Sequence, residues 1–122
     1  MRMWLVDPAI LCRRHLLGEH VESHMFLGTL RLGKNIDGYI AKDLFQPRLL
    51  YPRHKALVEE MIKRGYNHNS PLTKKDAAVI HTLPKKYLNH KIDKYAAAIE
   101  LVRRCPECRT RAETALLFIF KG

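Results

Sequence analysis

The sequence lacks any apolar run approaching the roughly 18 residues that a membrane-crossing helix needs, so a membrane partner is not expected. No signal peptide is visible: MRMWLVDP carries one early arginine and only a short apolar stretch before Asp7 and Pro8. Cysteine is scarce and odd in number, with Cys12, Cys105 and Cys108 alone. Such a count argues against a secreted disulfide scaffold and for an intracellular, cytoplasmic protein. There is no HExxH and no second CxxC, which disfavours a zinc-dependent nuclease. Internal repeats and low-complexity tracts are missing as well. Acidic residues are the last shortage: 12 Asp and Glu stand against 22 Lys and Arg, a formal charge of +10.

At 122 residues the chain is one domain, and its 47% hydrophobic content can fill a single core. An excess of basic charge on so small a domain points to a polyanionic partner, above all nucleic acid. The basic residues are spread along the whole chain and form no lysine-rich face of the kind an interfacial membrane helix needs.

Periodicity predicts an all-α fold with three main helices and long irregular connections. Asp7-Pro8 supplies an N-cap followed by proline at the first helical position. Leu11, Leu16, Leu17, Val21, Met25, Leu27 and Leu30 then recur at three- and four-residue spacing to about Arg31, with a break near Cys12 and a stop at Gly33. Residues 34–51 read as irregular, with one short helix after Gly38. A second helix runs from Pro52 through Leu57, Val58, Met61 and Ile62 to Arg64, closed by Gly65. Thr73 and Asp76 resemble a capping box and open a short helix to about Thr82. A third helix spans about Ile92 to Arg104 with Tyr95, Ala96, Ile99 and Val102, and Pro106 ends it. The tail TALLFIFKG reads as a short strand or an extended cover for the core.

On the first helix His15, Glu19, Glu22 and Phe26 follow one another at spacings of four, three and four, which sets them in one row. Opposite lies the apolar stripe of Leu17, Val21 and Met25, so the row reads either as a solvated face or as a site. Arg13, Arg14 and His20 crowd it with further ionisable groups, and an N-terminal segment this short can fold back across it.

The run RHLLGEHVE from Arg14 to Glu22, its distance from the chain start, and RHKALVEEMIKRGYN from Arg53 to Asn67 resemble the pyrimidine-dimer DNA glycosylase/abasic-site lyase family of the phage endonuclease V type. Members of that family carry His-Leu-Met-x-Glu-x-x-Glu at the same offset and a helix ending in Lys-Arg-Gly-Phe-Asn. The resemblance is good over residues 1 to about 70 and loose beyond.

The resemblance implies a DNA repair enzyme without a cofactor or metal, acting as a monomer on double-stranded DNA with a damaged or abasic nucleotide, in a prokaryotic or viral setting. Its nucleophile would be the α-amine of Met1, which attacks sugar C1′ and forms a Schiff base. Methionine is retained when a bulky residue such as Arg2 follows it. An α-amine ordinarily titrates near about 7.7–8.0, so some of it is neutral at pH 7, whereas a lysine at about 10.4 would need strong desolvation. Glu22 matches the catalytic carboxylate, and Glu19 matches a second acid with a supporting, structural role. Arg2 and Arg14 are expected to contact phosphates, which orient a duplex without reading its sequence. His15 reads either as a DNA contact or as a packing or capping group, and Arg64 and Tyr66 at the Gly65 turn either as DNA contacts or as the end of the second helix.

Two departures stand out. The family's arginines at the positions of Val21 and Met25 are missing, and so is its aromatic tail, replaced by CPECRTRAETALLFIFKG. Both bear on which lesion is preferred. Cys105-Pro-Glu-Cys108 is half of a zinc knuckle, with only Cys12 or histidines to complete it; a disulfide or redox pair and packed reduced thiols are the alternatives. Against the enzyme stands a second function, a basic helical module that binds DNA or RNA by charge and shape alone.

Overall fold

The computed structural model describes residues 1–121, with side chains described through Ala115. Every regular element among the described residues is helical. Pro8–Ile10 forms a 3-10 turn, capped by Asp7 Oδ1 accepting from the Ala9 amide at 3.0 Å. The chain breaks at Leu11 and Cys12, as the sequence predicts, and α1 then runs Arg13–Arg31. The short α2 is Asp37–Ala41. A 3-10 turn at Pro47–Leu49 feeds α3, Leu50–Lys63. That start is two residues ahead of the one expected at Pro52, because proline is tolerated anywhere in a first turn, where amides have no partner.

Both α1 and α3 end in the same way. Gly33 and Gly65 take left-handed backbone at φ 66° and 82°. Amides one and two positions beyond each last helical turn bond back to it: Gly33 to Leu30 and Lys34 to Thr29, Gly65 to Ile62 and Tyr66 to Met61. Orphan carbonyls are thereby satisfied.

Thr73 and Asp76 do exchange reciprocal bonds, amide to carboxylate at 3.2 Å and amide to hydroxyl at 3.0 Å. They open a 3-10 helix, Asp76–Thr82. Next come α4, Lys85–Leu88, and α5, Lys94–Arg104, whose cap Asp93 accepts from the Ala96 amide. Its buried stripe is Ala97 and Leu101; Tyr95 and Ile99, two apolar positions of the sequence pattern, face outward at 85% and 65% exposure.

Pro106 ends α5 and also begins α6, Pro106–Lys121. The tail is therefore helix and not strand. A short apolar run carries no periodicity that separates the two, and proline at a first helical position with Glu107 behind it favours helix. The three predicted helices are joined by this fourth long one.

The core gathers Met3, Trp4, Leu11, Leu16, Phe26, Phe45, Leu50, Leu57 and Leu101. Phe26 stacks on Phe45 with centroids 4.0 Å apart. Helix α1 packs on α3, α5 on α6, and α6 on the Pro8–Ile10 turn. The first six residues form a strap rather than a frayed end. Met3 donates its amide to the Leu44 carbonyl at 2.7 Å, and Met3, Trp4 and Val6 are buried. Leu5 between them adopts left-handed backbone at φ 55°, a strain of about 1–3 kcal/mol that the burial on either side sustains.

Candidate active site

The row on α1 faces inward, opposite to the sense expected from its polarity. Glu19 and Phe26 are buried, His15 and Glu22 half-buried, and Val21 and Met25 are half-exposed on the outside. Burial of a carboxylate in such a row demands a partner, and α3 supplies it. Arg53 donates from Nε and Nη2 to the two Glu19 oxygens at 2.6 and 3.0 Å, and from Nη1 to the Val6 carbonyl at 2.6 Å. One guanidinium thus ties α1, α3 and the strap together, and Glu19 is structural.

Three residues on, the outcome is different. The Met1 amine lies 3.6 Å from Glu22 Oε1, close enough for ionic attraction yet beyond hydrogen-bond distance. The two groups line a cleft of about 400 Å³ together with Arg2, Trp4, His15, Leu44 and Arg104. Amine and carboxylate, 21 positions apart in sequence, meet because the strap runs back along α1.

The cleft is electropositive. The Arg2 guanidinium lies over the Trp4 ring at 3.6 Å, and Arg104 approaches the same ring at 5.8 Å, both within cation–π range. Burial and then the nearby Arg104 lower the pKa of Arg2 from its ordinary value. Arg2 Nε is shielded from solvent and has no hydrogen-bond partner among the described residues. An unmatched buried donor costs about 1–3 kcal/mol.

The remaining expected contacts are distributed unevenly. Arg14 is exposed on α1. Arg64, read as a DNA contact or a helix end, turns inward: it bonds Glu60 at 2.7 Å and the carbonyls of Pro8, Ala9 and Leu11 at 3.1, 3.4 and 2.7 Å. A planar fork with five donors suits such a role of tying a helix end to a loop. Tyr66 is half-buried beneath Arg13, whose guanidinium sits 4.6 Å from the ring centroid. His15 lines the cleft, but its Nδ1 faces thiols, Cys12 Sγ at 3.2 Å and Cys108 Sγ at 3.6 Å. Burial, then Arg14 and Arg104, lower the His15 pKa.

Among the described residues two groups of side chains could hold a metal ion: Cys12 with His15, Cys105 and Cys108, and His20 with His54 and His68. In each the ligand atoms all fall within 4.8 Å of one another. Among the thiols, burial pushes Cys108 up to about 12. Burial also acts to raise Cys105, yet hydrogen bonds from the Cys108 amide and thiol, the Cys12 thiol and the Glu107 amide outweigh it and leave that thiol below its ordinary value.

The histidine group was not foreseen as a unit. His54 Nε2 lies 3.1 Å from His24 Nε2, and His68 Nε2 3.1 Å from His20 Nε2. One nitrogen of each pair must donate and the other accept, so no pair can hold two protonated rings. Burial, then the neighbouring histidines, bring His20 and His54 down to about 4. The available signal was His20 and His24 at i, i+4 on α1, one face of a helix.

A family model described as pyrimidine dimer DNA glycosylase matches residues 1–74. The chain belongs to the pyrimidine dimer DNA glycosylase family. Membership carries DNA glycosylase activity and a DNA substrate, the role of this family in DNA repair. The matched stretch contains the whole strap, α1 with Glu19 and Glu22, and α3 with Arg53. Arg104 and the CPEC turn lie outside it. No curated protein and no solved structure matches the chain. No helix among the described residues is long and apolar enough to cross a membrane.

Proposed function

We propose that this glycosylase also cleaves abasic sites as a lyase, with the α-amine of Met1 as nucleophile and Glu22 as its acid–base partner, acting as a monomer on damaged duplex DNA. The observation that carries it is the meeting of amine and carboxylate at 3.6 Å in an arginine-lined cleft. No cofactor enters the scheme. The amine lone pair attacks C1′ and the glycosidic bond breaks, its electrons leaving with the base, which takes up a proton. Protonation of O4′ by the Glu22 carboxyl opens the sugar ring and leaves an iminium ion on C1′. The Glu22 carboxylate then removes a proton from C2′ and that electron pair forms the C1′–C2′ enamine. The nitrogen lone pair re-forms the C1′ iminium, the enamine pair moves to C2′=C3′, and the 3′ phosphate departs with the electrons of the C3′–O bond. Water hydrolyses the remaining imine and returns the amine.

Arg2 and Arg104 at the cleft wall, and Arg14 exposed on α1, are assigned to backbone phosphates. The unmatched Arg2 Nε favours a phosphate oxygen as its partner. Arg64 is left out of this set, since its guanidinium is already engaged.

The test is borohydride trapping of untagged protein on duplex DNA with a single abasic site. A covalent adduct is expected, mapped to Met1 by peptide mass and abolished by a short N-terminal extension. DNA binding with neither adduct nor strand break overturns the lyase mechanism and leaves a basic helical module on the family's fold.

A further inference from the structure

Three buried thiols and one imidazole converge where α1, α5 and α6 meet. Cys12 is the N-cap of α1 and His15 stands one turn inside it; Cys105 caps the end of α5 and Cys108 sits in the first turn of α6. The spacing is Cys-x-x-His, then 89 intervening residues, then Cys-x-x-Cys. Cys12, Cys105 and Cys108 are 3%, 2% and 0% exposed.

The distances carry a geometric signature. A zinc ion with Zn–S bonds of about 2.3 Å and a Zn–N bond of about 2.0 Å, arranged tetrahedrally, has S···S edges of about 3.8 Å and S···N edges of about 3.5 Å. Here Cys12 Sγ and Cys105 Sγ are 3.8 Å apart, and His15 Nδ1 is 3.2 and 3.6 Å from the sulfurs of Cys12 and Cys108. All four ligand atoms lie within 4.8 Å of one another. Backbone amides also point at sulfur: Cys12 N–H donates to Cys108 Sγ at 3.2 Å, and Cys108 N–H to Cys105 Sγ at 3.4 Å. Such amide donors stabilise thiolates and orient ligands around a metal. Ordinary packing of thiols needs neither four donors around one point nor amides directed at two of them.

We propose that Cys12, His15, Cys105 and Cys108 form a structural Cys3His zinc site that fastens α5 and α6 to the start of α1. Zn²⁺ enters with loss of the three thiol protons, and neutral His15 gives its Nδ1 lone pair. The resulting cluster has a charge of −1, balanced by Arg14 and Arg104, the cations that act most strongly on His15. With four protein ligands no position is open for substrate or water, so the ion is a clamp and takes no part in the reaction. Its effect on the cleft is indirect: His15 and Arg104 both line it, and the ion holds the helix ends that carry them.

The test uses full-length untagged protein produced in zinc-supplemented medium. Elemental analysis is expected to find one zinc per chain. Cobalt exchanged for zinc should give a tetrahedral visible spectrum with a thiolate-to-cobalt charge-transfer band. Titration with an organomercurial should release the metal as the three thiols are blocked. Cys105→Ser and Cys108→Ser should each lower occupancy at least tenfold; the measurements on the unaltered chain stand even where these variants fail to fold. Folded, reduced protein that retains no zinc after incubation and dialysis overturns the proposal. So does a Cys12–Cys105 disulfide persisting in reduced conditions. Metal that survives blocking of every thiol, or cobalt lacking the thiolate band, assigns the ion to His20, His54 and His68 and overturns it equally.

Discussion

Glu19 and Glu22 stand three positions apart on one face of α1, yet they have opposite fates. Glu19 is buried, gripped at two oxygens by Arg53 and closed off from solvent. Glu22 is half-buried at the edge of a cleft, 3.6 Å from an amine that it attracts without a hydrogen bond. A closed ion pair is architecture, because both carboxylate oxygens are already engaged by the guanidinium and shielded from solvent. A loose one keeps a carboxylate free to exchange protons. The difference lies in what each meets across the helix: α3 opposite Glu19, the chain terminus opposite Glu22.

Substitution at the two positions should separate these roles, and the largest effect belongs to Glu22. Glu22→Gln is expected to slow incision at an abasic site by about 10²–10⁴-fold, with the urea midpoint almost unmoved; an equal loss of stability would erase the contrast. Glu19→Gln should do the reverse, leaving Arg53 short of a partner and costing about 3–5 kcal/mol in urea unfolding. Replacing both, as Glu19→Met with Arg53→Leu, should recover a large part of that loss, since the buried charge disappears together with its counterion.

Next to Glu19, His20 offers a smaller test by pH. In the folded chain His20 and His54 titrate at about 4, whereas exposed histidines take up protons near about 6.5. Between those values the unfolded chain binds protons that the folded chain does not, so stability falls as pH drops from about 6.5 toward 4. With a discount for solvent screening, the loss is on the order of 2 kcal/mol. It is measured by urea unfolding across that range, and His20→Gln with His54→Gln should flatten the slope. The smallest effect is expected at the cleft wall. Arg104→Ala should reduce the dependence of log binding constant on log salt by about 1, with little change in which DNA sequence is bound.

Much of the architecture was legible because local chemistry dictated it. Asp7-Pro8, Gly33, Gly65 and the Thr73–Asp76 pair each settle a helix end through bonds made within five residues. The sense of α1 was not legible. A row of His15, Glu19 and Glu22 reads as a solvated face until Arg53, 34 positions away from Glu19, is known to lie against it. Arg64 shows the same limit: an arginine past a helix reads equally as a DNA contact or as a helix end, and the carbonyls that claim it are more than 50 positions upstream. The proposal of Glu22 as a site residue came through its family motif and its offset from Met1, not through periodicity. The thiol cluster was half visible as CPEC, and only the packing of α5 and α6 onto the start of α1 brought Cys12 and His15 to it.

Chain ends are ordinarily the first part of a protein to fray. Here the strap is fixed at Met3 by Leu44, at Trp4 by burial, and at Val6 by Arg53. The consequence is a safeguard in time. A partly unfolded chain has no carboxylate opposite its α-amine and no arginines around it. On the proposed mechanism, reactivity toward DNA is therefore withheld until α1 and α3 have closed on each other, and a molecule that begins to unravel disarms itself before it can nick a strand.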